Sequence, residues 1–390
     1  MRVLFSTWSW PTHLYPMVPL AWALRASGHE VLVACRPVLV PVAAAAGLPA
    51  VPVGADVDVI ETLHGYLDQP TGGAPARPRA VELFARLAQT SCDDLVAAIR
   101  SWLPDLVVFD PTDWAAPVAA AKTQVPAVRQ LYGLDLVSST REVVKQALHP
   151  LCEHVGLDEV DPLGALTLDP SPTGLRLPVA GPRLPLRYIP YNGPRQAPPS
   201  WVHTRRNRAR VCVTWGTTMA RLSDRYFLAG RIAERLSALD AEIVLAITPE
   251  QRAAISSPQA TVAESVSLDH LLPTCDAVVH HGGAGTMLTA LAHGVPQLAV
   301  PRLPDHKAHA RALVKSGAGK LIEADRADLD QIAHAVADLL SSIPHRRAAA
   351  GLRAEILAHP TPVQVVATLK AVAERGETGR LPSFEAASTS

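Results

Sequence analysis

The sequence predicts an α/β protein of two domains, each a doubly wound, Rossmann-like parallel sheet. Three observations carry this. Short apolar runs alternate with helical stretches in both halves of the chain. A Pro- and Gly-rich middle, residues 158–210, interrupts the alternation. A strand, a glycine turn and a helix start follow one another at residues 277–293. Short apolar strands alternating with helices imply a parallel sheet covered on both faces.

The elements follow in order. Residues 2–7 read as a strand, and residues 17–27 as an amphipathic helix closed by Gly28, a left-handed cap. A strand at 30–34 and a helix at 38–46 closed by Gly47 come next. A helix over 80–103 leads to a strand at 105–110. The middle reads as an interdomain connection, with Arg205, Arg206, Arg208 and Arg210 on a solvated face. Beyond it the pattern restarts: strand 210–215, helix 226–239, strand 242–246, a shorter strand from 260 and a short helix at 268–272. The strand 277–279, the helix 286–293 stopped by Gly294 and a strand at 297–301 follow, then covering helices at 346–358 and 362–374. The expected division is 1–195 for the first domain and 209–360 for the second. Residues 361–376 form a helix crossing back to the first, and 377–390 a polar, mobile tail. Two such halves imply a ligand cleft at the carboxyl ends of the strands.

Bulk composition narrows the function. With 390 residues, 48% hydrophobic and 18% charged, the chain is globular and long enough for two cores. Its 36 basic and 36 acidic residues cancel, which disfavours nucleic-acid binding through a basic field. Five scattered cysteines without a C-x-x-C pair argue against a disulfide framework or zinc site and for a reducing, cytoplasmic setting. No signal-peptide pattern and no apolar run of about 18 residues occurs, so membrane insertion is not expected.

The chemistry-bearing motif is His280-His281-Gly282-Gly283-Ala284-Gly285-Thr286. Backbone N–H groups at a helix start are unpaired, the macrodipole adds positive potential, and glycines let a phosphate approach closely. The segment therefore reads as a pyrophosphate cradle. It is not a Walker A loop, because no Lys precedes the Thr. The first strand runs into Trp8-Ser9-Trp10-Pro11-Thr12-His13 without glycine, which argues against a dinucleotide fingerprint for NAD or FAD. His280 reads as a packing or backbone-bonded residue, and Asp328-Leu329-Asp330 as a solvated helical face.

Four segments together resemble the inverting GT-B glycosyltransferases of actinobacterial natural-product biosynthesis, which move deoxysugars from dTDP to polyketide aglycones. They are Pro11-Thr12-His13 with the 18–24 stretch behind it, Ile189-Pro190-Tyr191-Asn192-Gly193, His281 to Thr286, and Gly294-Val295-Pro296-Gln297 leading to Asp305. The resemblance spans nearly the whole chain. It implies His13 as the general base for the acceptor hydroxyl, oriented by Asp110, with Asp113 as a substitute. An imidazole titrates near working pH and suits this task. It implies His281, Gly283, Ala284, Gly285 and Thr286 as donors to the diphosphate, with Thr217 and Thr218 reaching the same phosphates. Val266, with Leu268 beside it, is expected at the base pocket. Asp305 is expected on the sugar hydroxyls. His306 stands beside it where the family pattern commonly has Gln, which leaves the second sugar contact open. The 57–79 segment resembles a variable acceptor loop. With Trp8, Trp10, Tyr15 and Trp114 it is expected to line an aromatic acceptor pocket, to which Asp135 adds a carboxylate.

The resemblance thus implies metal-independent transfer with inversion. The dTDP-sugar is a co-substrate rather than a cofactor, the acceptor is a hydrophobic aglycone, and a homodimer is compatible. C-glycosylation on an aromatic carbon by the same site, a hexosamine 2-epimerase and a non-catalytic GT-B helper protein are the alternatives. Retention of His13, Asp110, His281 and Asp305 together argues against the helper.

Overall fold

A computed structural model describes the chain apart from residues 61–78, 178–180, 195–196, 205, 218, 220–225, 256–259 and 376–390. Thr218, most of the 57–79 acceptor segment and the 377–390 tail therefore lie outside the described residues. The chain divides into two compact units. The first comprises Met1–Pro170, Leu177–Arg187 and the described residues from Ala358 on, and the second Ser171–Arg176 and Tyr188–Leu357.

The first unit holds seven parallel strands: β1 (Arg2–Ser6), β2 (Glu30–Cys35), β3 (Ala50–Pro52), β4 (Leu106–Phe109), β5 (Ala127–Gln130), β6 (Leu166–Asp169) and β7 (Arg183–Pro185). They lie in the order β3-β2-β1-β4-β5-β6-β7. The second unit holds β8 (Ala209–Thr214), β9 (Ala241–Ile247), β10 (Thr261–Glu264), β11 (Ala277–His280), β12 (Gln297–Ala299) and β13 (Gly319–Leu321), ordered β10-β9-β8-β11-β12-β13 and again parallel. In both sheets the first strand is flanked by the second and the fourth. The chain therefore reverses its winding at β1/β4 and at β8/β11. Such switch points open a crevice at the carboxyl ends of the strands, where loops go to opposite faces.

The central strands are apolar on both faces because helices cover both. Val3, Leu4 and Phe5 of β1, and the whole of β4, are fully buried. The C-terminal helix Pro362–Arg375 packs on the helix Val18–Ala26, both in the first unit. Val365, Leu369 and Val372, spaced at helical intervals, form its buried stripe. Among the described residues no helix is long and apolar enough to cross a membrane.

Three elements differ from the sequence expectation. The 80–103 helix is two helices, Arg79–Gln89 and Cys92–Trp102. Neither Gly nor Pro breaks it. The Thr90 and Ser91 hydroxyls both donate to the Leu87 carbonyl, at 3.0 Å, and compete with the helical ladder. His13 lies not in a loop but in the one-turn helix Pro11–Leu14, which Pro11 opens at its first position. The 158–210 stretch is no simple linker, because β6 and β7 inside it add two strands to the first sheet.

Those two strands are held by buried charge. Arg129 of β5 grips Asp135 through both nitrogens, Nη1 to Oδ1 at 3.0 Å and Nη2 to Oδ2 at 2.7 Å. Arg183 of β7 donates to Asp135 Oδ2 at 2.9 Å and also pairs with Asp169 of β6. Ser138 supplies its backbone N–H and hydroxyl to the same carboxylate. Asp135 is thus corrected from an acceptor-pocket carboxylate to the hub of a structural ion network. Removing one partner from a buried pair leaves an uncompensated charge, so Asp135→Ala is expected to lower the unfolding free energy by about 3–5 kcal/mol. A denaturant titration checks this, and an unchanged midpoint would refute it.

Candidate active site

The turn after β1 meets the turn after β4. The Asp110 backbone N–H donates to the Ser6 carbonyl at 3.0 Å, which extends the β1/β4 ladder and carries Asp110 to the switch point. His13 Nδ1 sits 2.9 Å from Asp110 Oδ2, with both side chains buried. The other oxygen, Oδ1, accepts from the Thr112 N–H at 2.8 Å and from the Thr112 hydroxyl. Trp8 Nε1 in turn donates to Thr112 Oγ1 at 2.8 Å. A carboxylate occupied this way cannot rotate off the imidazole. It fixes the tautomer with hydrogen on Nδ1, so Nε2 carries the lone pair a general base needs.

Aromatic rings surround this imidazole. The Tyr132 ring lies 4.3 Å from it, Trp8 4.9 Å and the half-buried Trp10 6.4 Å, and Trp8 stacks on Trp10 at 5.1 Å. Trp114 is 3% exposed, donates to the Pro111 carbonyl and packs beside Phe84, and it lines a small cavity with Trp8, Thr112 and Asp113. Asp113 does not replace Asp110. Its carboxylate takes the Ser6 hydroxyl at 2.6 Å. Burial pushes its pKa up to about 6, with the Ser6 bond opposing and Asp110 reinforcing that shift. Thr112 and Tyr132 escaped the sequence reading. Asp110-Pro111-Thr112 does carry a signal, since an Asp whose side chain takes the N–H two residues on is an Asx turn.

In the second unit the turn after β8 meets the turn after β11. Gly282 has φ +94°, and a Cβ there would meet His306 Cβ at 3.0 Å. Gly283 caps the helix Ala284–Ala292, whose first backbone bond runs from Met287 N–H to the Gly283 carbonyl. The N–H groups of Ala284, Gly285 and Thr286 therefore have no intrahelical acceptor. The His281 ring fits between two glycines. A Cβ on Gly283 would lie 2.5 Å from its Nε2, and one on Gly216 2.5 Å from its Cε1. His281 is 6% exposed and its Nδ1 is enclosed without a hydrogen-bond partner. Burial first, then the His306, His280 and His309 rings, hold its pKa well below the ordinary value, so the ring is neutral and offers one N–H. A helix start with an imidazole N–H beside it offers the donors and positive potential that an anion takes.

Asp305 opens the helix Pro304–Lys315, with its carboxyl 39% exposed. Desolvation would raise its pKa. The His306 and His309 rings and the backbone N–H groups of Asp305 and His306 outweigh that and hold it below the usual range. His306 is 5% exposed, and its ring meets the His281 ring edge-on at 4.8 Å. Thr217 is half-buried after Gly216, and Thr286 is buried in the first helical turn. Val266 lies in the core with Leu271 and Val278, Leu268 packing against them. The Asn192 side chain accepts from the Asp269 N–H at 3.1 Å and pairs with the Ser267 hydroxyl at 3.0 Å, so the 189–193 motif braces the turn that follows Val266.

Both halves of the chain match models of one family, described as erythromycin biosynthesis protein CIII-like. Residues 22–70 and 78–216 match its N-terminal domain, and residues 230–372 its C-terminal domain. Tylactone mycaminosyltransferase of Streptomyces fradiae is 36% identical over 97% of this chain and 94% of its own. The solved structure of the glycosyltransferase VinC in complex with dTDP superposes with a TM-score of 0.81 at 33% identity, over 96% of this chain and all of that one. Spinosyn rhamnosyltransferase SpnG complexed with thymidine diphosphate gives a TM-score of 0.83 at 32% identity, over 95% of this chain and 100% of its own. Fold and relatives together define a glycosyltransferase of GT-B architecture that uses a nucleotide sugar. The chain belongs to the erythromycin biosynthesis protein CIII-like family.

Since a Cβ at residue 283 must displace the His281 ring, Gly283→Ala is expected to weaken dTDP binding about tenfold or more, a loss of about 1.4 kcal/mol. Gly351→Ala, where a Cβ meets nothing within 4 Å, is the control. Calorimetric titration of both variants checks this, and equal affinities would refute it.

Proposed function

We propose that the protein transfers a deoxysugar from a dTDP-sugar to a hydrophobic polyketide or macrolide aglycone, with inversion and without a metal. The observation that carries the reading is the His13–Asp110 pair at 2.9 Å, buried among aromatic rings at the β1/β4 switch point. An acceptor hydroxyl gives its proton to His13 Nε2 as its oxygen attacks the anomeric carbon. The bond from that carbon to the β-phosphate oxygen breaks on the opposite face, and dTDP leaves with the electron pair. Asp110 stabilises the imidazolium that forms.

The leaving diphosphate gains negative charge in the transition state. The neutral His281 N–H and the N–H groups at the helix start are fixed donors for that charge, with the Thr217 and Thr286 hydroxyls as further donors. Asp305 is the acceptor for sugar hydroxyls. Val266 and its neighbours form the apolar floor under the base, and Trp10 and Trp8 the wall against the aglycone. The relatives' names support the substrate classes: a mycaminosyl group on tylactone, dTDP on VinC, and thymidine diphosphate on SpnG.

The test is transfer from dTDP-deoxysugars to macrolide and anthracycline aglycones in EDTA, with the anomeric configuration read by NMR. An inverted linkage is expected. His13→Ala is expected to lower kcat by about 10²–10⁴-fold, the range for a lost general base, and to leave dTDP affinity intact. A retained configuration, or near-normal kcat in His13→Ala, would overturn the reading.

A further inference from the structure

Four histidines lie together behind the cradle, and their hydrogen bonds divide them into two kinds. His280 is locked neutral. Its Nδ1 accepts the Gly282 N–H at 3.0 Å, so its hydrogen is on Nε2, which donates to Gln297 Oε1 at 2.9 Å. The Gln297 amide is itself fixed by donating to the Met287 carbonyl. His309 donates from Nδ1 to the Gly282 carbonyl at 3.2 Å, which fixes its tautomer, and its Nε2 is enclosed without a partner.

His281 and His306 have no such lock. Their rings meet edge-on at 4.8 Å, both are more than nine-tenths buried, and the Nδ1 of each is enclosed without a partner. His306 has a carboxylate near it, with Nε2 3.8 Å from Asp305 Oδ2, and the same carboxylate acts on His309. Lys315 is exposed at the last residue of the helix Pro304–Lys315, and four other cations around that helix are paired. Lys307 and Arg311 pair with Glu323, Arg302 with Asp325, and Lys320 of β13 with Asp338. The charge on His306 is therefore set by His281, His280, His309, Asp305 and whatever occupies the cradle.

We propose that His281 and His306 act as one proton-binding unit that takes up a proton when a nucleoside diphosphate binds, with His306 as its seat. The inference rests on the reading of the Gly283–Thr286 helix start as the diphosphate site. In the empty site, burial holds His306 below its ordinary value of 6.5, with Asp305 opposing, so it is neutral at pH 7. A bound diphosphate brings at least two negative charges against His281 and favours the imidazolium behind it. The bound state then holds more protons than the free state. Affinity rises as pH falls through the bound-state pKa and levels off below the free-state value. A Gln at 306, which the resemblance makes the common residue, does not titrate. The departure at this position therefore converts a fixed contact into a pH-dependent one. His306 is a positioning residue, acting through His281.

The test is calorimetric titration of the full chain with dTDP near pH 7.5, in HEPES and in Tris. These buffers differ in ionisation enthalpy, so the difference in heat counts protons. An uptake of about half to one proton per dTDP is expected in the wild type and close to none in His306→Gln. The terminal phosphate of dTDP has a pKa of about 6 and would release protons on binding, so the sign identifies the protein group. The wild-type-to-His306→Gln affinity ratio is expected to rise about tenfold between pH 8.5 and pH 6.5. Were His306→Gln not to fold, the wild-type buffer comparison decides alone. Proton release or no exchange in the wild type, or the same uptake in His306→Gln, overturns the inference. His281→Ala in parallel separates the two readings. If it leaves dTDP affinity unchanged, or if dTDP does not bind at all, the diphosphate site falls and the inference with it.

Discussion

An imidazole fits against the start of the helix Ala284–Ala292 only because the residues on either side of it have no Cβ. Gly216 and Gly283 each leave His281 the space that a methyl group would take, and their hypothetical Cβ atoms fall 2.5 Å from its ring. Much of the second unit follows from that fit. The β8 and β11 strands must be neighbours, so that one glycine ends each turn at the same ring. Gly282 must take φ +94° to let the helix Pro304–Lys315 approach, and that approach seats His306 on the other side of His281. The ring is left buried, neutral and without a partner for Nδ1, a state with an energetic cost.

The first unit uses the same topological position for a different task. At β1/β4 the neighbouring strand ends deliver an imidazole and a carboxylate instead of glycines. The difference lies in the turns. Pro11 opens a helical turn that brings His13 back over the strand end, and Asp110-Pro111-Thr112 folds on its own side chain. Trp8 and Thr112 then hold Asp110 while the outer strands β5, β6 and β7 are tied by Arg129, Asp135, Asp169 and Arg183. The carboxylates of this unit thus divide their work. Asp110 orients the His13 imidazole, Asp113 accepts a Ser6 hydroxyl, and Asp135 and Asp169 neutralise buried guanidinium groups.

The parts legible in the sequence were those with strong local signals. The apolar run Ala277-Val278-Val279, followed by glycines and a helix former, states its own structure, and β11 with its helix appears where that pattern put it. The Pro11-Thr12-His13 segment was legible as the turn after β1, though not as a helix, since one turn has no periodicity to read. The strands β3, β5, β6, β7 and β13 were not legible. Each has only three or four residues, and prolines flank β6 and β7 in a stretch that reads as a linker. Asp135 read as a site residue because a carboxylate near a strand end looks the same whether it faces a ligand or the core. Its partners, Arg129 and Arg183, decide the matter, and only the fold brings these together. His306 was legible as a departure from a pattern, but its contact with His281 is made across two different turns.

The measurement that bears most directly on this account is calorimetric titration of the purified protein with dTDP and with UDP in EDTA, repeated with His281→Ala. The account predicts that dTDP binds without a divalent metal and more tightly than UDP, and that His281→Ala weakens it by tenfold or more, a loss of about 1.4 kcal/mol or greater. Binding that requires a metal, or that is indifferent to His281, would contradict it.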